Sequence, residues 1–309
     1  MKIGIISNSD LFISLSDALA TQQQQVYLFY SPSVDAYINQ KVEQYIKVTK
    51  ISMVQEDTGG CNLYQWITES ELDVCFVLGY SKLIKGEVLK RYSSQLFNIH
   101  FGLLPQFKGP TPVFWQLKQG IPKIGLSIHR MTEKLDEGAV VWHKEIDNKG
   151  FFNYKYVGQL FGNICVEGVF FILSLMLQNL PILDIQNKGV APCYHSRPKM
   201  EDVLICWKSM GAQEICDLVK ACNPWNKGAL TFYKGQEVKI MDARITNNSD
   251  NVAAGSIVAV GDTLKVKCCD DKTLEITMLY FLDSYFPAYC LTELGFKTGN
   301  TFENYLEKN

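Results

Sequence analysis

No stretch of this 309-residue sequence stays apolar for the roughly 20 residues that a bilayer crossing needs. The longest apolar run, GVFFILSLML at 168–177, stops well short of that length. The opening MKIGIISNSD lacks the profile of a signal peptide, so a cytoplasmic protein with no membrane partner is expected. Ten cysteines are present but no two form a C-x-x-C pair, which argues against zinc and leaves no metal site to assign. They sit in apolar segments such as DVCFVL and VLICW and read as reduced, mostly buried thiols. A basic field is also missing: net charge is −2 and the pI about 6.1, so only a local patch could favour nucleic acid. There is no internal repeat, no low-complexity tract, and no G-x-G-x-x-G after the first strand to mark a dinucleotide site.

What is present is a long globular chain, 47% hydrophobic and 20% charged, whose length favours two domains over one core. Short β-rich runs (KIGIIS, VYLFYS, DVCFVLGY, LFNIHF) alternate with helical patterns (SDLFISLSDALATQ, VDAYINQKVEQYI, CNLYQWITES, EVLKRYS). Near-continuous apolar strands separated by helices predict an α/β domain with a Rossmann-like, doubly wound, mostly parallel sheet buried on both faces. The stretch from YKYVGQLF to MLQN reads as a core-packing helix. Texture changes at PILDIQNKGVAPCYHSRPKMED, which has three prolines and no periodicity. The expected division is a catalytic domain over 1–183, a linker over 184–202, and a smaller domain over 203–309. In that last segment five short strands with Gly and Asn turns suggest an OB-like β-barrel.

The chemistry concentrates at NIHFGLLPQFKGPTP, residues 98–112. Asn98 and His100 are two apart on a strand, so their side chains share a face at the strand's carboxyl end, where ligands of parallel sheets bind. A Gly, Pro and Lys-rich loop follows, and farther on KLDEGAV sets Asp136 before a Glu-Gly turn. An amide, an imidazole and a carboxylate at one sheet edge are what acyl transfer to an amine requires: an oxyanion donor, a proton carrier, and a group that orients or receives the proton. Taken as a lone pair, Asn98 and His100 would read as a capping amide and a satisfied histidine. His129 and His143 read as structural, since the reaction needs one imidazole at the reacting carbon.

In order along the chain, Asn98, His100, Leu103, Leu104, Pro105, Phe107, Lys108, Gly109, Pro112, Trp115, Gly125, Ser127, His129, Asp136 and Gly138 resemble the catalytic region of the folate-dependent formyltransferases. The likeness continues through YHSRPKMEDVLICW and ACNPWNKGALTFYKGQEVKIMDA into the second domain of two-domain members, and so covers nearly the whole chain. It implies 10-formyltetrahydrofolate as co-substrate, with no metal, and Asn98, His100 and Asp136 as catalytic residues. It further implies that the segment Tyr80, Ser81, Lys82, Leu83, Ile84, with Leu135 and Gly138, holds the folate, and that Leu104, Pro105, Lys108 and Gly109 face the acceptor. Asp136 is expected to hold His100 in its charged form.

Two departures from the family pattern bear on the acceptor. The family's loop usually carries Arg where this chain has Lys108, and Lys lacks the planar fork that grips carboxylate or phosphate. The tRNA-acting members carry a basic, Gly-rich insertion near residues 31–49, where this chain has a mixed-charge, helical-looking SPSVDAYINQKVEQYIKVT. The expected acceptor is therefore a small-molecule amine such as an amino sugar nucleotide, ahead of charged initiator tRNA. A folate-binding module without turnover, and a folate hydrolase, are the remaining readings. The hydrolases that resemble this domain tend to carry their extra domain at the amino-terminal end.

Overall fold

The computed structural model describes residues 1–49, 51–59, 62–92, 94–186, 189–247 and 251–303. Residues 187–188 of the expected linker, Cys61 of the third helical pattern, and 304–309 of the second domain lie outside the described residues. The chain divides into two compact units, one of residues 1–112, 125–146 and 158–195, the other of 113–124, 147–157 and 196–309.

The first unit is built on strands β1 (Lys2–Ser7), β2 (Gln25–Tyr30), β3 (Ser52–Gln55), β4 (Val74–Leu78), β5 (Leu96–His100), β6 (Lys123–Arg130) and β7 (Val140–Asp147). Helices α1 (Ile13–Thr21), α2 (Ala36–Thr49), α3 (Asn62–Glu69) and α4 (Gly86–Tyr92) connect the first five, and α6 (Tyr154–Leu177) follows β7; α5 (Pro112–Lys118) precedes β6 in the chain but, Pro112 apart, is counted in the second unit. The sheet order is β3-β2-β1-β4-β5-β6-β7. Strands β1 to β5 run parallel and β6 pairs antiparallel to β5, so the sheet is mostly parallel, as the alternation predicts. From β1 the chain winds outward through β2 and β3, then returns to place β4 on the other side of β1. The carboxyl ends of β1 and β4 thus form the switch point where such sheets bind ligands.

Helices on the sheet faces explain the unbroken apolar strands. Ile3, Ile5 and Ile6 of β1 and all five residues of β4 are buried. On one face Trp66 and Ile67 of α3 and Val88 and Leu89 of α4 pack with Ile6, Phe29, Val77 and Leu96. Truncating a fully buried residue here, Ile5→Ala for example, costs about 2–5 kcal/mol.

Helix α6 departs from the expected core helix. It buries Phe161, Cys165, Val169, Ile172 and Leu173, a stripe at helical spacing, but Phe171 and Leu177 are exposed. Its most apolar 18-residue window has a mean hydropathy of 2.0, and 39% of that window is buried. By length and composition alone the helix would suffice to cross a membrane, because Val157, Leu160, Phe161, Ile164, Cys165 and Val166 extend the apolar stretch ahead of the run visible at 168–177.

In the second unit, α7 (Met200–Val203) and α8 (Ala212–Cys222) lead to an antiparallel sheet of β8 (Ala229–Tyr233), β9 (Gln236–Thr246), β10 (Ile257–Val260), β11 (Leu264–Lys267), β12 (Thr273–Phe281) and β13 (Ser284–Pro287). The five expected strands are present. The sixth, β13, pairs with β12 through a turn at Leu282 and Asp283, both with positive φ, and its SYFP had no alternation to reveal it. Trp207 stacks on Phe302 at 5.6 Å and donates from Nε1 to Thr231 Oγ1 at 2.9 Å, a buried indole with its polar atom satisfied.

Candidate active site

Strand β5 delivers Asn98 and His100, and the antiparallel register sets His129 of β6 directly opposite Asn98 and Ser127 opposite His100. Asp136 arrives from the turn between β6 and β7 with φ +52°, a left-handed backbone that an Asp tolerates and most residues do not. All four side chains meet at one carboxylate oxygen. Asp136 Oδ1 lies 3.5 Å from Asn98 Nδ2, 3.6 Å from His100 Nδ1 and 3.5 Å from His129 Nε2. Asn98 Nδ2 is also 3.0 Å from His129 Nε2.

The remaining bonds fix protons. His100 Nε2 lies 2.5 Å from the Phe107 carbonyl, which can only accept, so Nε2 carries the hydrogen and the neutral ring turns a bare Nδ1 toward Asp136. The backbone N–H of Gly109 donates to Asp136 Oδ2 at 2.8 Å. Burial pushes the His100 imidazole below its ordinary value; Asp136 and the Phe107 carbonyl pull it upward without outweighing the burial, and His129 adds to the lowering. Burial alone would raise Asp136, but His129, His100 and the Gly109 N–H outweigh it and hold the carboxyl below its usual range. The charged His100 expected from the sequence is therefore not the resting state of this site: desolvation wins over the carboxylate.

A cavity of about 260 Å³ opens on this cluster. Asn98, His129 and Asp136 form one end; Tyr80, Lys82, Leu83, Ile84 and Leu135 line it, joined by Val77, Leu89, Met131 and the 132–134 turn. His100 stands behind the lining, reaching the cavity through Asp136. The other expected residues serve the frame. Ser81 Oγ accepts from Asn8 Nδ2 at 3.0 Å, toward the loop after β1. Gly138 packs where any Cβ would run into the Arg130 carbonyl oxygen. Leu104 N donates to Ser127 Oγ at 3.1 Å, Pro105 O accepts from Cys193 N at 3.0 Å, and Lys108 Nζ pairs with Glu137 at 3.3 Å. Lys108 thus binds the turn that carries Asp136.

The sequence reading leaves two residues out of the site. His129, matched in the motif but read as structural, belongs to the cluster, and the signal for that is register, which only the paired strands reveal. Glu56, just past β3, has a nearly inaccessible carboxylate that accepts from Tyr80 Oη at 2.6 Å and Lys82 Nζ at 2.5 Å. Burial opposes its charge, yet Lys82, Ser31 and Tyr80 hold it below the usual carboxylate range. Its partners stand 24 and 26 residues downstream, beyond any local pattern.

An amide, two imidazoles and an ionised carboxylate gathered at the end of a cavity, on the carboxyl edge of a parallel sheet, define an acyl-group transferase. The chain belongs to the formyl transferase family: residues 1–149 match its Formyl transferase domain and residues 198–283 the Formyl transferase, C-terminal domain. Among curated relatives, the methionyl-tRNA formyltransferase of Natranaerobius thermophilus is 23% identical over 217 residues, 68% of each chain. A solved N-formyltransferase from Helicobacter canadensis, in complex with folinic acid and dTDP-3-aminofucose, shares the fold with a TM-score of 0.68 at 15% identity, over 89% of this chain and 98% of that one. HypX from Aquifex aeolicus, in complex with tetrahydrofolic acid, shares it with a TM-score of 0.60 at 14% identity, over 94% of this chain and 46% of HypX, so this chain spans about half the length of that protein.

Proposed function

We propose that this formyltransferase takes its formyl group from 10-formyltetrahydrofolate and delivers it to the primary amine of a small acceptor such as an amino sugar nucleotide. The observation that carries the chemistry is the convergence of Asn98, His100 and His129 on Asp136 Oδ1 at the end of the cavity. The cavity fits the flat head of a folate. Val77, Ile84, Leu89 and Met131 supply apolar walls, Tyr80 a ring, and Asn98 and Asp136 the polar end.

The co-substrate supplies the formyl group on a nitrogen leaving group; the chain's residues do the rest. Asn98 donates from Nδ2 to the formyl oxygen as the amine adds to the carbon and charge grows on that oxygen. Its 3.5 Å contact with Asp136 is the looser of its two and is the one that re-aims. The bare Nδ1 of His100 and Asp136 Oδ1, 3.6 Å apart and both acceptors, share room for one proton between them. That position receives the proton of the attacking amine and returns it to the departing nitrogen as the old C–N bond breaks, so no net proton is gained or lost.

The choice of a small acceptor rests on charge. Over residues 203–309 there are 11 Lys and Arg against 13 Asp and Glu. Of the cations that could align into a strip on the second sheet, four face acids: Lys239 with Glu237 at 3.3 Å, Arg244 and Lys265 with Glu275 at 2.6 and 3.9 Å, and Lys267 with Asp271 at 3.2 Å. In the 31–49 segment Lys41 is paired with Asp10. A surface with most of these cations already facing acids neutralises few phosphates and so releases few of a polyanion's counterions.

The test is to incubate the protein with 10-formyltetrahydrofolate and, separately, a panel of amino sugar nucleotides, charged initiator tRNA, or buffer alone, and follow tetrahydrofolate release. Release with a sugar nucleotide supports the proposal. Release with tRNA alone moves the acceptor to the nucleic acid, and release in buffer alone marks a hydrolase.

A further inference from the structure

The stretch that reads as linker contains a short segment hydrogen-bonded to the loop behind the candidate active site. Cys193 N donates to Pro105 O at 3.0 Å, Lys108 N to Cys193 O at 3.0 Å, and His195 N to Lys108 O at 2.9 Å, a parallel bridge centred on Lys108 and Tyr194. The His195 ring stacks on Phe107, centroids 5.6 Å apart and planes within 20°. Gly109 has φ +112°, and a Cβ there would run into the His195 carbonyl oxygen, so the close approach requires glycine. Five loop residues are thereby clamped from outside by three.

That loop supplies two main-chain contacts to the reacting groups, one to each. The Phe107 carbonyl takes the Nε2 hydrogen of His100 and so decides which ring nitrogen faces Asp136; the Gly109 N–H fixes Asp136 Oδ2 and so decides which oxygen faces His100. Phe107 and Gly109 flank Lys108, the residue bridged to Tyr194. We propose that residues 193–195 are a positioning strap: their backbone pairing with 105–109 sets the tautomer of His100 and the rotation of Asp136 on which the formyl-transfer reading rests. The strap lines no part of the folate cavity, so its loss separates turnover from folate binding. A main-chain strap does this without spending a catalytic side chain on orientation, and a misplacement of the order of 1 Å at the reacting groups can cost about a hundredfold in rate.

The experiment compares His195→Pro, which deletes the N–H given to Lys108, with His195→Ala, which keeps it and removes the ring. The expected result is a folded His195→Pro enzyme whose kcat is at least about tenfold lower while KM for 10-formyltetrahydrofolate stays within about twofold, and a His195→Ala enzyme within about threefold of wild type. A folded His195→Pro enzyme with wild-type kcat overturns the strap, as does an equal loss in both variants, which would assign the effect to ring stacking. A readout independent of turnover is nitrogen-15 NMR of the wild-type protein without substrate. The proposal requires His100 to carry its hydrogen on Nε2 and the Lys108 and His195 amides to be protected from exchange together with it. Hydrogen on Nδ1, or free exchange of those amides beside a protected His100, overturns the strap even where His195→Pro fails to fold. Absence of turnover by the wild type with every amine would sink the functional reading and leave this NMR result standing on its own.

Discussion

The backbone N–H of Gly109 and the carboxylate of Asp136 are 2.8 Å apart, although 27 residues separate them in the chain. This bond joins the loop after β5 to the turn after β6, and it gives Asp136 a fixed oxygen to turn toward His100 and Asn98. The ionised carboxylate, rather than the bulk of the side chain, is what the proposed mechanism uses.

Asp136→Asn keeps an acceptor for Gly109 and removes the charge. Turnover is expected to fall by about a hundredfold or more with the fold intact, and His100→Ala and Asn98→Ala should each do the same by removing the proton site and the oxyanion donor. Steady-state assays of the three variants beside their circular dichroism spectra decide the matter; near wild-type turnover in any of them removes that residue from the mechanism.

Glu56 organises the far wall of the cavity by holding Tyr80 and Lys82. In Glu56→Ala the Tyr80 hydroxyl loses its buried acceptor, at about 1–3 kcal/mol, and Lys82 loses its anchor. The expected signature is a KM for 10-formyltetrahydrofolate raised about tenfold with kcat little changed, the reverse of the His100 and Asn98 variants. An unaltered KM would show that Tyr80 and Lys82 hold their places without it.

Acid acts on this site in two steps of known sign. The folded-state value of His100 lies below that of a free imidazole, so the unfolded chain takes up a proton first and stability drains away as pH falls below about 6.5 toward the folded value. Asp136 and Glu56 are also held low, so their contributions are full above about 4 and are lost as pH drops through their folded values. Urea unfolding at a series of pH values should show both phases. The acid limb of kcat/KM, which reports the free enzyme, should likewise lie below about 6.5. A limb above that value would mean that the imidazole is raised rather than lowered in the folded enzyme, and a fall in kcat/KM as pH rises through the imidazole range would mean that His100 works as the charged form.

How far the sequence foretells these arrangements depends on range. The β/α alternation and the short strands of the second unit rest on local periodicity, and Asn98, His100 and Asp136 stand out because strand ends and turns are local signals as well. His129 is read as structural because its relation to Asn98 is one of cross-strand register, and Glu56 is missed because its partners come from another strand-to-helix turn. The state of His100 goes astray for a different reason: the sequence displays its acidic partner but not the burial that outweighs it. Helix α6 looks wholly internal because apolar residues on all sides suggest a core, whereas Phe171 and Leu177 face outward.

Salt dependence separates the two acceptor classes. A protein that grips tRNA neutralises several phosphates, and its affinity falls steeply between about 50 and 200 mM salt, whereas a sugar nucleotide with one diphosphate engages few cations and responds weakly. In this chain Lys41, Lys239, Arg244 and Lys267 already face acids, and Lys234 lies over the Tyr233 ring while donating to the Gly295 carbonyl. Binding to initiator tRNA is therefore expected to be weak at physiological salt, with a shallow salt slope. KM for an accepted amino sugar nucleotide should change only a few-fold over the same range. Charge reversal offers a second arm: Glu237→Lys and Glu275→Lys free the cations they now pair and should raise tRNA binding in low salt without improving turnover of the small amine. Efficient formylation of charged initiator tRNA by the unaltered protein at about 150 mM salt, the physiological ionic strength, would overturn the small-acceptor reading while leaving the formyl-transfer chemistry of Asn98, His100 and Asp136 in place.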